Sequence, residues 1–157
     1  MPTTRVERTL AADRDAIWAV AADPHHQPRW WPRVQRVEGV DEDAFTQVLG
    51  TAKGKGVRAD FRVLELDAPV RIRWMQELAG SPFQRLLAES VTTLELTPAE
   101  DGSSTRVAIE LRQRLLGWSR LAPWQFSRAA RKMLTEALAG LDEVVVGVDD
   151  IHLETYR

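Results

Sequence analysis

From residue 44 to about residue 116, apolar and polar side chains alternate with period two, and from Pro123 onward apolar residues recur every third or fourth position. Alternation over that length makes a series of half-buried strands, and the later pattern makes one long amphipathic helix. A sheet with one apolar face and a helix with one apolar stripe bury those surfaces against each other. The chain is thereby restricted to an α+β fold in which a sheet packs on one helix.

The strand runs are AFTQVLGT, GVRADFRVLEL, VRIRWMQEL, QRLLAESVTTLELT and TRVAIELRQRLL. Between them lie turn-forming stretches: VDED at 40–43, GTAKGKG at 50–56, DAP at 67–69, AGSP at 79–82 and PAEDGSS at 98–104. Links this short favour antiparallel neighbours. Two strands separate their faces cleanly, with Val70, Ile72, Trp74 and Gln76 against Arg71, Arg73, Met75 and Glu77, and Val107, Ile109, Leu111 and Gln113 against Ala108, Glu110, Arg112 and Arg114. The arginines at 58, 62, 71, 73, 112 and 114 are expected to pair with Asp60, Glu77 and Glu110 on the outer face.

Ahead of this region, TRVERTL at 4–10 reads as a first strand, and ADRDAIWAVAADP as a short helix. Asp13 stands at its N-cap, Asp15 in its first turn, and Ile17, Val20 and Ala21 on its apolar face. Prolines at 24, 28 and 32 allow at most one more helical turn before VQRVEGV becomes extended. Gly117 ends the last strand. The long helix then places Phe126, Ala130, Met133, Ala137, Leu141 and Val144 on one stripe, with GVDDIHLETYR from 147 expected as a loosely held tail.

At 157 residues the chain is the size of one domain. It lacks both a signal-peptide layout and the roughly 18 apolar residues of a membrane span, so a soluble, cytoplasmic protein without membrane insertion is expected. The absence of cysteine rules out disulfides, thiolate catalysis and iron–sulfur ligation. A net charge of -2 argues against nucleic acid as a partner. The bias to arginine and alanine suggests a bacterial source.

The stretch PHHQPRWWPR, residues 24–33, concentrates side chains that could carry chemistry. His25 and His26 are adjacent, whereas helical ligand pairs stand at i and i+4, and no acidic partner is suitably spaced; no metal site is expected. Trp30 and Trp31 read as structural, one packed inward and the other partly exposed, with Trp31 the candidate for a pocket mouth. GTAKGKG is either a solvated turn or a mobile lid around Gly54, in which Lys53 and Lys55 meet an anionic ligand; it is not a phosphate-binding P-loop.

The segments VERTLAADRDAIWAVAADPHHQPRWWPRVQRVE, RVLELDAPVRIRW, ESVTTLELTPAEDGSSTRVAIEL and LAGLDEVV span nearly the whole chain. In them the sequence resembles the START-like, or SRPBCC, superfamily, in its bacterial polyketide cyclase/dehydrase branch. The resemblance implies the helix-grip fold: a curved antiparallel sheet of about seven strands around a long C-terminal helix, with one or two short helices after the first strand. It also implies a cavity between sheet and helix and no cofactor. Inward-phase residues are then the candidate lining: Phe61, Trp74, Gln76, Thr92, Leu94, Ile109, Leu111 and Gln113 from strands, with Phe126, Ala130, Met133 and Ala137 from the helix. The alternative for each is plain core packing. Gln76, Thr92 and Gln113 suit orienting a carbonyl or hydroxyl better than proton transfer.

Superfamily members differ in function, so three readings follow. The first is binding of a small hydrophobic, ring-containing or lipid-like molecule; the second is cofactor-independent polyketide cyclase or dehydratase chemistry, against which stands the lack of an inward-phase His, Asp, Glu or Tyr. The third is a protein-interaction module with a filled cavity and an exposed apolar patch. No motif identifies a catalytic residue or sets an oligomeric state.

Overall fold

Thr3–Leu10 forms β1, and β2 to β7 are Val34–Glu38, Ala44–Leu49, Val57–Asp67, Arg71–Glu77, Leu87–Pro98 and Thr105–Leu115. The computed structural model describes residues 2–155, with side-chain surroundings for residues 2–147. The seven strands form one sheet in the order β1-β7-β6-β5-β4-β3-β2, antiparallel throughout. Strands β2 to β7 are a meander, as their short links require, and β1 adds to the far edge beside β7. Register shifts between Val34 and Arg36, Val63 and Glu65, and Leu87 and Glu89 insert one extra residue each. Such irregularities bend a strand and sharpen its twist, which curves the sheet.

Between β1 and β2 lie α1 (Arg14–Ala21), a 3-10 turn at Pro24–His26 and the single-turn α2 (Gln27–Trp30). Asp13 occupies the N-cap of α1 in extended conformation, but its side chain makes no capping hydrogen bond. Asp23 does cap the 3-10 turn, accepting from the His25 N–H at 3.0 Å. The long helix α3 runs Pro123–Thr155, through most of the segment that the sequence assigns to a tail. Residues 156 and 157 and the side chains from 148 onward lie outside the described residues. A second 3-10 turn, Gly117–Leu121, joins β7 to α3 and is absent from the sequence reading.

Strand pairing stacks the inner face in layers. Ile72, Leu94, Ile109 and Val6 are successive partners across β5, β6, β7 and β1, and Val63, Trp74, Thr92 and Leu111 form the next layer. Beyond that come Phe61 opposite Gln76 and Ser90 opposite Gln113. Against these layers α3 buries Ala130, Leu134, Ala137, Leu138, Leu141 and Val145. Gly140 is where α2 crosses α3: a Cβ there would stand 2.5 Å from the Trp30 carbonyl oxygen, so only glycine allows the backbones this approach.

The outer face carries ion pairs, though not the expected set. Arg62 meets Glu77 at 3.1 Å as anticipated, but Asp60 accepts from the Thr46 hydroxyl at 2.6 Å instead of pairing with an arginine. Glu38 takes both Arg36 (2.6 Å) and Arg58 (2.7 Å), Arg71 sits between Glu65 and Glu95, and Arg5 reaches Glu110. Cross-strand neighbours decide these pairs, and neighbours are set by register that periodicity alone does not reveal.

Candidate functional site

The middle of the sheet's inner face is filled by aromatic rings. Trp31 packs edge-on to Trp30 (centroids 5.2 Å apart) and to Trp74 (5.9 Å), while Phe45 meets Trp74 at 6.3 Å and stacks on Phe61 at 5.2 Å. Both tryptophans of the WW pair are buried, so neither forms the half-exposed mouth expected of Trp31. Proline causes this arrangement: Pro32 ends the one-turn α2, Trp30 faces α3 across Gly140, and Trp31, already extended, turns to Trp74.

Open space lies to one side of this wall. A cleft of about 260 Å³ is bounded by Leu111 and Gln113 on β7, by Phe126, Ala129, Ala130, Lys132, Met133 and Glu136 on α3, and by Pro32 and Arg33 after α2. Its floor is apolar, and Arg33, Lys132 and Glu136 stand on its rim. Among the described residues the Gln113 side-chain amide forms no hydrogen bond, and neither does that of Gln76 in the same end layer. Arg33 has φ of 68°, the one non-glycine among the described residues in the left-handed region. Its carbonyl is held by the Gly50 N–H at 2.8 Å, which fixes the rim where the chain reverses into β2.

Of the twelve lining candidates, the structure brings Leu111, Gln113, Phe126, Ala130 and Met133 to this cleft. Trp74, Thr92, Leu94, Ile109 and Ala137 are enclosed in the core, and Phe61 and Gln76 are half-buried beside it. Residues 51–56 are exposed, and neither Lys53 nor Lys55 lines the cleft. Their loop is a hydrogen-bonded turn, with Thr51 Oγ1 donating to the Lys55 carbonyl at 2.6 Å and Gly54 at φ 79°. It starts at Gly50, whose N–H donates to the Arg33 carbonyl.

Sequence reasoning missed Arg33, Lys132 and Glu136. Lys132 and Glu136 are one turn apart on the flank of the α3 stripe beside Met133, a position that helical side chains leaning toward the N-terminus can bring over a neighbouring groove. A buried amide pair was also missed: Gln47 Nε2 donates to Gln27 Oε1 at 2.7 Å, with both residues buried. Gln47 follows Phe45 at the inward phase of β3, and that alternation was the available signal.

His25 and His26 stand apart from the cleft. His25 Nδ1 lies 2.9 Å from Asp23 Oδ1, and His26 Nδ1 lies 3.1 Å from the Arg29 guanidinium. Burial raises the Asp23 carboxyl, but hydrogen bonds from the His25 N–H and ring, with the charges of both imidazoles, outweigh it and hold the carboxyl below its ordinary range. The described residues contain no group of three or more His, Asp or Glu side chains placed to hold a metal ion, and no described helix is long and apolar enough to cross a membrane.

No curated protein matches the sequence significantly. Solved structures resemble it across the whole fold. A protein from Thermus thermophilus is 22% identical with a TM-score of 0.74, covering 94% of this chain and 99% of its own. A START superfamily protein from Mycobacterium smegmatis is 12% identical with a TM-score of 0.73, over 93% of this chain and 98% of its own. BexL, the di-domain ARO/CYC of the BE-7585A biosynthetic pathway, is 23% identical with a TM-score of 0.75, over 91% of this chain and 46% of BexL. These likenesses establish the helix-grip fold. Family membership rests on the sequence itself: residues 1–146, from the start of the sheet through the buried part of α3, match the family described as polyketide cyclase / dehydrase and lipid transport, and the chain belongs to it.

Proposed function

We propose that this protein binds a small hydrophobic, ring-containing molecule in the cleft between β7 and the N-terminal half of α3. The observation that carries this reading is the unpartnered Gln113 amide in an otherwise apolar wall. A half-buried amide without a protein partner is stabilised by a carbonyl or hydroxyl supplied from outside, and the apolar floor of Leu111, Phe126 and Met133 favours rings or short alkyl groups. The cleft lies just under the roughly 300–1,000 Å³ of drug-sized sites, so the ligand is small. Arg33 and Lys132 on the rim favour a carbonyl-rich or acidic end pointing outward.

Thermal unfolding with a panel of aromatic polyketides, fatty acids, sterols and quinones tests this. At 100 times its dissociation constant a ligand adds roughly 2.7 kcal/mol. One chemical class should raise Tm, and Met133→Trp, which fills the cleft from a half-exposed position, should remove the shift while the protein stays folded. A shift of undiminished size in Met133→Trp, or none from any class, would exclude the assignment.

A second reading, cyclisation or dehydration of a poly-β-carbonyl chain, is favoured by one observation. The Glu136 carboxylate lines the same cleft as Gln113, so the cleft holds both a group able to remove a proton from a carbon between two carbonyls and an amide able to polarise one of them. Under this reading Glu136→Gln abolishes turnover and leaves ligand-induced stabilisation in place. Equal turnover by the variant removes it.

A further inference from the structure

The turn between β7 and α3 presents Trp118, Leu121 and Trp124 to solvent at 85%, 73% and 59% exposure. Leu86, on the neighbouring loop, is 40% exposed. These side chains project from a fixed support. Ser119, at the centre of the turn, is buried; its hydroxyl donates to the Leu86 carbonyl at 2.7 Å and accepts from the Leu116 N–H at 3.0 Å. A loose loop would fold its tryptophans back onto the surface, whereas this turn holds them outward.

The segment that carries them is basic. From Arg112 to Lys132 the sequence has six basic residues and no acidic one, in a chain whose net charge is -2, although Glu89 on β6 stands opposite Arg114. Arg114 and Arg120 line a shallow hollow with Pro2, Leu115, Leu116 and Pro123, and the Arg128 guanidinium lies over the Trp124 ring, 5.6 Å from its centroid. Protruding indoles next to arginines match the interface of an anionic bilayer. There the rings sit at headgroup level, guanidinium groups meet phosphate, and the soft surface needs no preformed socket. A folded protein partner would need a concavity for each projecting ring. We infer that the Gly117–Leu121 turn and the first turn of α3 dock this protein peripherally on anionic lipid surfaces, without a membrane span.

Co-sedimentation of the full chain is measured with vesicles of phosphatidylcholine alone and with vesicles in which part of it is replaced by phosphatidylglycerol. Binding is expected to the anionic vesicles and to weaken with salt. Trp118→Ala should reduce it about tenfold, as loss of one buried large apolar side chain implies. Arg120→Gln should reduce it about fivefold and flatten the salt dependence. Leu66→Ala, an exposed apolar change on β4, should leave it unchanged, and circular dichroism checks that each variant is folded. Absence of binding to anionic vesicles at low salt would overturn the inference, as would binding that Trp118→Ala leaves intact. So would a concentration-dependent dimer, or a complex with an acidic protein, that depends on Trp118 when vesicle binding is absent. The readout is independent of whether the cleft holds a ligand.

Discussion

Gly140 shows how much one absent side chain decides. Its missing Cβ lets the Trp30 backbone rest on α3, and that contact sets where Trp31 begins and so where the aromatic wall stands. Gly140→Ala is expected to lower stability by about 1–3 kcal/mol, as overpacking against rigid backbone does, measured as a lower urea midpoint with unchanged slope. The Gln27–Gln47 pair behaves oppositely, because its value lies in mutual satisfaction. Gln47→Ala strands the Gln27 amide and should cost about 1–3 kcal/mol, while changing both to leucine should cost less than either single truncation. The sequence exposed the phase of Gln47 but not its partner, since the two are twenty positions apart, with the rest of α2 and all of β2 between them. Trp30 was legible as structural. Its indole N–H is buried without a hydrogen-bond partner among the described residues, so ring area rather than polarity retains it.

At the scale of elements, strands were read most faithfully because alternation reports burial directly, as in Ile72, Trp74, Leu94 and Ile109. What alternation does not report is the irregular residue. Leu64 sits in the register shift of β4 and is 46% exposed, although an apolar residue in a strand reads as inward. The same blindness hid the 3-10 turn after Gly117, whose exposed tryptophan offers no period to detect. The β6–β7 turn shows how a connection acquires its own energetics. Asp101 accepts from the Ser104 N–H at 2.9 Å, the Ser103 N–H at 3.0 Å and the Ser104 hydroxyl, and these bonds hold its carboxyl below the ordinary aspartate range. A carboxyl more acidic in the folded than in the unfolded chain stabilises above its unfolded pKa, and the benefit disappears as pH falls through the folded value. Urea midpoints measured from neutral pH into acid should therefore fall less steeply for Asp101→Ala than for the parent. Parallel profiles would remove the turn from that account.

For the whole molecule, a sheet packed on one long helix was legible because a sheet and a helix with one apolar face each have few ways to hide them, and the family resemblance supplied the helix grip. The site was legible only in part. Phe126, Ala130 and Met133 from α3 and Leu111 and Gln113 from β7 do share a cleft, yet the deeper candidates Leu94, Ile109 and Ala137 are enclosed core. The difference lies in volume: inward phase says that a side chain faces the interior, and only the tryptophan wall decides how much of that interior is empty. Charge repeats the lesson, since a total of -2 conceals an acid-free segment of twenty-one residues around the exposed tryptophans.

The placement of the wall also divides the labour of α3. Its middle turns, from Leu134 to Val145, are sealed against the sheet and held to α2 at Gly140, whereas its first turns border the cleft and the exposed Trp124. A ligand bound as proposed would therefore come and go by loosening only the turns of α3 that border the cleft. Under that proposal, exchange of the ligand is uncoupled from unfolding, because the turns that seal the core stay in place.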